Sequence, residues 1–253
     1  MIEIKDVEKS FGDSKILKGI STIFETGKTN LIIGQSGSGK TVLLKSLLGI
    51  HSPEVGTISF DGRIYSELND DEKRELRTEI GMVFQGSALF DSMTVAENVA
   101  FPLKMFTRDN KAKIKERVDF VLERVDLKEA HNKLPSEISG GMQKRVAIAR
   151  AIVNRPKYLF CDEPNSGLDP NTAILIDNLI KEITEEYDIT TVVNTHDMNS
   201  VMEIGDNIVF LKNGLKEWQG TKEEIFETDN DAVVAFVYSS NLFKKVREAH
   251  LKK

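Results

Sequence analysis

The chain is poor in cysteine, and this limits its covalent chemistry. Its 253 residues include a single cysteine, Cys161, so no disulfide can form within the chain, which is consistent with a reducing compartment. Cys161 stands in an apolar run, and that setting predicts a small buried core residue rather than a reactive thiol.

Long apolar runs are also missing. No stretch approaches the roughly 20 consecutive apolar residues that a transmembrane helix needs, and residues 1–5 begin with strand-like alternation, so we expect no signal peptide. If the protein works at a membrane, another polypeptide has to supply the spanning part. The 40% hydrophobic content is enough for one compact unit with a substantial core and a subdomain.

An excess of positive charge is absent as well. The formal net charge is −6 at pH 7, whereas surfaces that bind nucleic acid cluster Lys and Arg against the phosphate backbone. We therefore expect no nucleic acid partner. Binding a single nucleotide needs only a local positive field.

What the chain does have is a phosphate-binding loop. Residues 34–41 fit the pattern G-x-x-x-x-G-K-[ST] between an apolar strand and an apolar helix, and these flanks argue against a merely flexible Gly/Ser loop. Glycines let backbone N–H groups approach a polyphosphate, and the helix points its partly positive N-terminus at the same anion. We expect Lys40 to reach the β and γ phosphates and the Thr41 hydroxyl to bind Mg²⁺. The predicted loop comprises Gly34, Gln35, Ser36, Gly37, Ser38, Gly39, Lys40 and Thr41.

Elsewhere the hydrophobic periodicity predicts an α/β protein with an antiparallel β part near its N-terminus. From about residue 86 to 154 the pattern is helical, which predicts a helical subdomain inserted in the α/β core. Its first helix opens at Thr94, and Pro102 should end or kink it. The predicted strands are 2–7, 16–24, 57–60, 80–84, 158–161, 190–194, 207–211 and 215–219, and the other predicted helices are 70–77, 111–125, 139–153, 171–187 and 197–204.

An acidic pair follows one of these strands. Asp162 and Glu163 come after four apolar residues, at a strand end where Asp162 can hold Mg²⁺ through water and Glu163 can polarise an attacking water. Acidic pairs also often end strands at the surface without a further role. Phe11 has two interpretations as well, because an aromatic ring upstream of a phosphate loop either stacks on a nucleobase or simply packs near a turn.

A third motif narrows the choice of function. Residues 138–142 read Ile-Ser-Gly-Gly-Met just upstream of the Asp-Glu strand, and they resemble the signature motif of ATP-binding cassette (ABC) ATPases. Each motif is weak alone, but their joint order along residues 2–228 makes the resemblance specific. The other matches are Gln85 to the Q-loop, residues 166–169 to the D-loop, His196 to the switch histidine and Phe11 to the adenine-stacking position.

The resemblance implies a fold and a mechanism. The fold is the P-loop NTPase core of ABC type, with the antiparallel β part and the inserted helical subdomain, over residues 1–228. The family binds ATP and Mg²⁺ between two head-to-tail subunits, here a homodimer, so each nucleotide lies between the phosphate loop of one copy and the signature of the other. The implied roles are Glu163, His196 and Gln85 in catalysis, Thr41, Gln85 and Asp162 at Mg²⁺, Asp169 between the subunits, and Ser139, Gly140, Gly141 and Met142 at the partner's nucleotide.

One departure from the family pattern indicates a subfamily. The family usually has Gln where this chain has Met142, but the anion contacts come from the Ser139 hydroxyl and backbone amides, which are kept. Residues 138–142 and 84–103 are similar to the Mla-type (lipid-asymmetry) branch, whose ATPase drives phospholipid movement between the membrane and periplasmic carriers. This resemblance implies a peripheral protein on the cytoplasmic face of the bacterial inner membrane, with an integral membrane permease as its partner. Whether a small accessory protein regulates the ATPase stays open.

Residues 229–253 lie beyond the family pattern and combine apolar residues with a basic finish. They are predicted to form a C-terminal helical tail. Such a tail packs on its own domain or is solvated, or it reaches the other ATPase subunit as in the Mla-type branch.

Other functions remain open. A small-solute importer of amino-acid type uses the same core, because the membrane subunit selects the cargo, and Met142 and residues 88–90 speak against it. A non-transport ABC ATPase is disfavoured by the Leu-, Phe- and Met-rich stretch after Gln85, which suits a groove for a short helix of a membrane subunit. A kinase or GTPase does not need the signature, and the chain has no Asn-Lys-x-Asp guanine motif.

Overall fold

The computed structural model describes residues 1–238, which form two compact units. The first unit contains residues 1–25, 29–67 and the described chain from 194 onward, and the second contains 26–28 and 68–193. In chain order the strands and helices are β1 (Ile2–Phe11), β2 (Ser14–Phe24), β3 (Thr29–Ile33), α1 (Lys40–Leu47), β4 (Val55–Phe60), β5 (Arg63–Ile64), α2 (Asp70–Thr78), β6 (Ile80–Val83), α3 (Val95–Phe106), α4 (Lys111–Arg124), α5 (Gly140–Ile152), β7 (Tyr158–Asp162), α6 (Pro170–Glu186), β8 (Thr190–Asn194), α7 (Met198–Ile204), β9 (Asn207–Lys212), β10 (Leu215–Gly220), α8 (Glu224–Glu227) and α9 (Asp231–Val237).

The first unit holds the predicted antiparallel part. β1 pairs antiparallel with β2 and with β4, and the short β5 completes the order β2-β1-β4-β5. In a second group of strands, β9 is parallel to β3 on one side and antiparallel to β10 on the other. Every residue of β3 is buried, as expected for a central parallel strand.

The second unit contains a parallel sheet and helices α2 to α6. β6 pairs parallel with β7, and β8 lies on the other side of β7. Residues 158–161 of β7 have no exposed surface, which confirms the predicted buried strand and the buried Cys161. Because the carboxyl ends of parallel strands meet at one edge of a sheet, the residues after β6 and β7 lie close together.

Two elements differ from the prediction. α3 starts at the predicted N-cap Thr94, whose hydroxyl accepts from the Glu97 N–H at 3.2 Å, but Pro102 does not end the helix, which continues to Phe106. Val99 and Leu103 are buried around the proline, and their packing outweighs the hydrogen bond that the proline nitrogen lacks.

The other difference is in β1, which reaches Phe11 instead of ending near residue 7, because pairing with β2 continues across register shifts to Phe11 opposite Ser14. Phe11 therefore ends a strand and does not stand in a turn.

The C-terminal elements pack on the first unit. The ring of Phe236 in α9 lies 5.2 Å from that of Phe210 in β9, and Tyr238 lies 6.4 Å from Phe226, centroid to centroid. The beginning of the predicted tail is thus a packed helix, and residues 239–253 of that prediction lie outside the described residues. Within residues 1–238, no helix combines the length and the apolar character needed to cross a bilayer.

Candidate functional site

The phosphate loop joins β3 to α1 in the first unit. Gly34, Gly37 and Gly39 have φ angles of 148°, 78° and 106°, which glycine adopts without steric cost. At Gly34 a Cβ atom would lie 2.2 Å from the Leu211 carbonyl oxygen, so a side chain does not fit there. No side chain caps the N-terminus of α1, which therefore offers its main-chain N–H groups as an anion site requires.

Lys40 and Ser38 define the polar interior of this loop. The Lys40 ammonium donates to the carbonyl oxygens of Gly34 at 2.7 Å and of Gln35 at 3.1 Å, so the side chain lies over the loop. Ser38 Oγ is buried without a hydrogen-bond partner, and such an atom is normally satisfied by a ligand or water. Thr41 is exposed at the start of α1. These groups fit a polyphosphate.

Phe11 and His196 belong to the same unit. The Phe11 ring is 46% exposed and meets the His51 ring edge to face, with centroids 5.1 Å apart, so it is held in place with a face that can stack on a base. His196 is exposed in the segment after β8. There the Thr195 N–H donates to the Ile32 carbonyl at 3.1 Å, which ties this segment to the strand that leads into the phosphate loop.

Gln85 and Glu163 meet in the second unit. Gln85 Nε2 donates to Glu163 Oε2 at 2.9 Å and to Ser166 Oγ at 3.3 Å. Glu163 has a φ of 44°, a left-handed conformation that is strained for a residue with a side chain and that clusters at functional sites. Asp162 precedes it as the last residue of β7. Two predicted catalytic side chains are therefore in direct contact.

The signature residues open α5 in the same unit. Ser139 is the N-cap, and its hydroxyl accepts from the Met142 N–H at 3.3 Å. Gly141 is closely packed, since a Cβ atom there would lie 2.7 Å from Thr172 Cγ2. Ser139, Gly140, Gly141 and Met142 line a surface cavity of about 720 Å³ together with residues 167–169. Met142 thus leaves the polar groups of the signature in place.

Asp169 lies at the rim of this cavity and caps α6. Its carboxylate accepts from the N–H groups of Asn171 and Thr172 at 3.1 Å each, and from the Thr172 hydroxyl at 2.5 Å. The hydroxyl contact, above all, lowers the pKa of Asp169 below its usual value. The residue is a fixed, exposed anion, and its contact with a second subunit stays a prediction.

A family model described as ABC transporter matches residues 17–166. This span holds the phosphate loop, the signature and Glu163. The chain belongs to the ABC transporter family.

The names of the curated relatives of this ABC protein refer to different compounds. It is 39% identical to the probable ribonucleotide transport ATP-binding protein mkl of Mycobacterium leprae, over 93% of this chain and 68% of that protein. It is 42% identical to the methionine import ATP-binding protein MetN of Clostridium tetani, over 89% of this chain and 71% of that protein. It is 38% identical to the protein TRIGALACTOSYLDIACYLGLYCEROL 3, chloroplastic, of Arabidopsis thaliana, over 95% and 74%.

Solved structures confirm the fold class. The dimeric structure of MJ0796, a bacterial ABC transporter cassette, matches with a TM-score of 0.79 and 34% identity, over 88% of this chain and 99% of that one. A dimeric post-hydrolysis state of the same cassette contains ADP and Pi. This chain is an ABC ATPase cassette with an ATP site.

Magnesium binding by this ABC cassette stays a prediction, and the oxygen atoms of the predicted ligand residues are compatible with it. Within residues 1–238, no group of three His, Cys, Asp or Glu side chains could hold a metal, but a Mg²⁺ ion that binds with ATP takes most of its ligands from phosphates and water. Thr41, Gln85 and Asp162 offer the oxygen atoms that Mg²⁺ prefers. Thr41 lies in the first unit, and the other two lie in the second.

Sequence reasoning gave no role to two basic residues of α5. Lys144 donates to the Gln85 carbonyl, and Arg150 donates to the carbonyls of Ser87 and Ala88 at 2.7 Å each. The sequence did contain one signal for Lys144. It lies four residues before Ile148 and seven before Ala151, so it shares the buried face of α5 with them, where a basic residue needs polar partners.

Proposed function

We propose that this ABC ATPase drives the movement of phospholipid between the inner membrane and periplasmic carriers. The observation that carries the proposal is the likeness of residues 138–142 and 84–103 to the Mla-type branch. A relative that bears the name of a galactolipid is consistent with it. Phe84 and Phe90, on either side of the Gln85 segment, are 43% and 39% exposed, an apolar surface that suits a short helix of a permease.

The chemistry that we propose uses two copies of the chain. Each ATP lies between the phosphate loop of one copy and Ser139, Gly140 and Gly141 of the other. Glu163 accepts a proton from the attacking water, and His196 contacts the γ-phosphate. Loss of that phosphate removes the link between the copies, and the permease senses the resulting opening. Bound Mg²⁺ supplies charge neutralisation at the phosphates.

A second candidate is a small-solute importer, and the 42% identity to a methionine import protein favours it. The two candidates differ in cargo. We would isolate the chain with its membrane partner, reconstitute the complex in liposomes, and measure ATP-dependent transfer of labelled phospholipid to a soluble acceptor. We expect transfer that disappears with Glu163→Gln. Turnover stimulated by an amino acid, with no lipid transfer, would favour the importer.

A further inference from the structure

The segment that carries Gln85 has an unusual backbone after the glutamine. Ser87 and Ala88 have φ angles of 61° and 48°, so two consecutive residues with side chains are left-handed. Left-handed geometry brings Cβ close to the following carbonyl oxygen and is disfavoured outside glycine. The local hydrogen bonds are few: the Ser87 N–H donates to Phe84 O at 2.9 Å and the Ala88 N–H to Gly86 O at 2.7 Å. Contacts from elsewhere must hold this shape.

Those contacts come from α5. The Arg150 guanidinium donates through Nη1 to the Ala88 carbonyl and through Nη2 to the Ser87 carbonyl, both at 2.7 Å. Both left-handed residues are thus fixed by one planar group. Further toward the signature, the Lys144 ammonium donates to the carbonyl of Gln85 itself.

The helix that provides these two cations is itself closely seated. At Gly81 in β6, a Cβ atom would lie 2.4 Å from the Ala151 carbonyl oxygen of α5, so the backbones of helix and strand are in contact. Partial burial lowers the pKa of both Lys144 and Arg150, because their charges have lost water. The main-chain carbonyls of residues 85, 87 and 88 replace part of that solvation.

We propose that Arg150, assisted by Lys144, is a positioning residue that holds the 85–88 segment so that the Gln85 side chain meets Glu163. The signature helix thereby sets the geometry of the catalytic glutamine within one chain. This inference rests on the proposed role of Gln85 in catalysis.

The test is Arg150→Lys, which keeps the charge but lacks the planar fork that reaches two carbonyls. We expect faster amide hydrogen exchange in the nucleotide-free protein over residues 84–90. We also expect turnover to fall by between about tenfold and a hundredfold, while the KM for ATP stays unchanged. In a protein that already carries Gln85→Ala, adding Arg150→Lys should lower turnover no further. If Arg150→Lys does not fold, Arg150→Met, which removes the buried charge, takes its place.

Arg117 provides a matched control. It is also half-buried, and it donates to two consecutive carbonyls at the C-terminal end of α5, Val153 O at 2.9 Å and Ile152 O at 3.1 Å, and to none in the 85–88 segment in the contacts described. Arg117→Lys should leave both the exchange at 84–90 and the turnover of the folded protein unchanged.

Equal effects of the Arg117 and Arg150 changes, or unchanged exchange in Arg150→Lys, would overturn the inference. Normal turnover by Gln85→Ala would instead overturn the proposed role of the glutamine.

Discussion

Glu163 combines a strained backbone with a directed side chain. Its carboxylate accepts from Gln85, and its φ of 44° is a left-handed conformation that clusters at functional sites. We predict that Glu163→Gln binds ATP but loses turnover by about 10²- to 10⁴-fold, because an amide cannot accept the proton of the attacking water. The amide oxygen still accepts from Gln85, so the local contact is kept. Phosphate release and nucleotide binding measured on the same sample check this prediction, and brisk turnover would exclude Glu163 as the base.

Cys161 is a residue-scale test of the core. It is completely buried in β7, and burial raises the pKa of its thiol. The unfolded chain therefore loses this proton at a lower pH than the folded chain does. The thiol's contribution to the free energy of unfolding is complete below the unfolded pKa of about 8.5 and declines as the pH rises above it.

We predict that a thiol reagent at pH 9 does not label the native protein and labels it stoichiometrically in denaturant. Because Cys161 is the single cysteine of the chain, all labelling reports on this site. Rapid labelling of the native protein would mean that β7 is accessible.

At the scale of elements, Asn98 ties α3 to the segment before it. The side chain is fully buried; its Oδ1 accepts from the Phe90 N–H at 2.8 Å, and its Nδ2 lies 3.0–3.1 Å from the carbonyl oxygens of Phe90, Met93 and Thr94. One amide therefore fixes the main chain at Phe90, which is one of the two exposed rings of the apolar surface that we propose for the permease.

We predict that Asn98→Ala destabilises the protein by about 1–3 kcal/mol, because buried main-chain groups lose their partners. Denaturant unfolding monitored by circular dichroism measures this loss. Asn132→Ala, at an exposed position, is the control and should stay within about 0.5 kcal/mol of the unchanged protein. If Asn98→Ala lowers the free energy of unfolding no more than Asn132→Ala does, Asn98 does not tie α3 to the segment before it.

The elements also show what the sequence can and cannot predict. Periodicity and caps are local, so the helix at Thr94, the buried run of β7, and the strand and helix on either side of residues 34–39 are confirmed. We expected Pro102 to end or kink α3; the helix does not end there, because the packing of Val99 and Leu103, which is not local, outweighs the missing hydrogen bond. The contact of Arg150 with Ala88 could not be predicted, because the two residues are 62 positions apart in the chain. The left-handed conformation of residues 87 and 88 could not be predicted either, because neither residue is a glycine.

At the scale of the molecule, each chain carries one phosphate loop, in the first unit, and one signature, in the second. The likeness to a dimeric cassette supports our proposal that two copies complete each ATP site. A head-to-tail dimer contains two such sites, so a defect in the loop and a defect in the signature should complement each other.

Mixing two variants tests this claim most directly. Lys40→Ala removes the ammonium of the loop, and Gly140→Asp places a carboxylate in the signature, where a Cβ atom meets nothing closer than Leu168 Cδ2 at 3.7 Å, so the fold is kept. We predict that each variant alone is inactive and that an equal mixture recovers roughly a quarter of the normal ATPase rate, because half the dimers are mixed and have one intact site. A mixture as inactive as its components, or full activity of either variant as a monomer, would contradict the shared site.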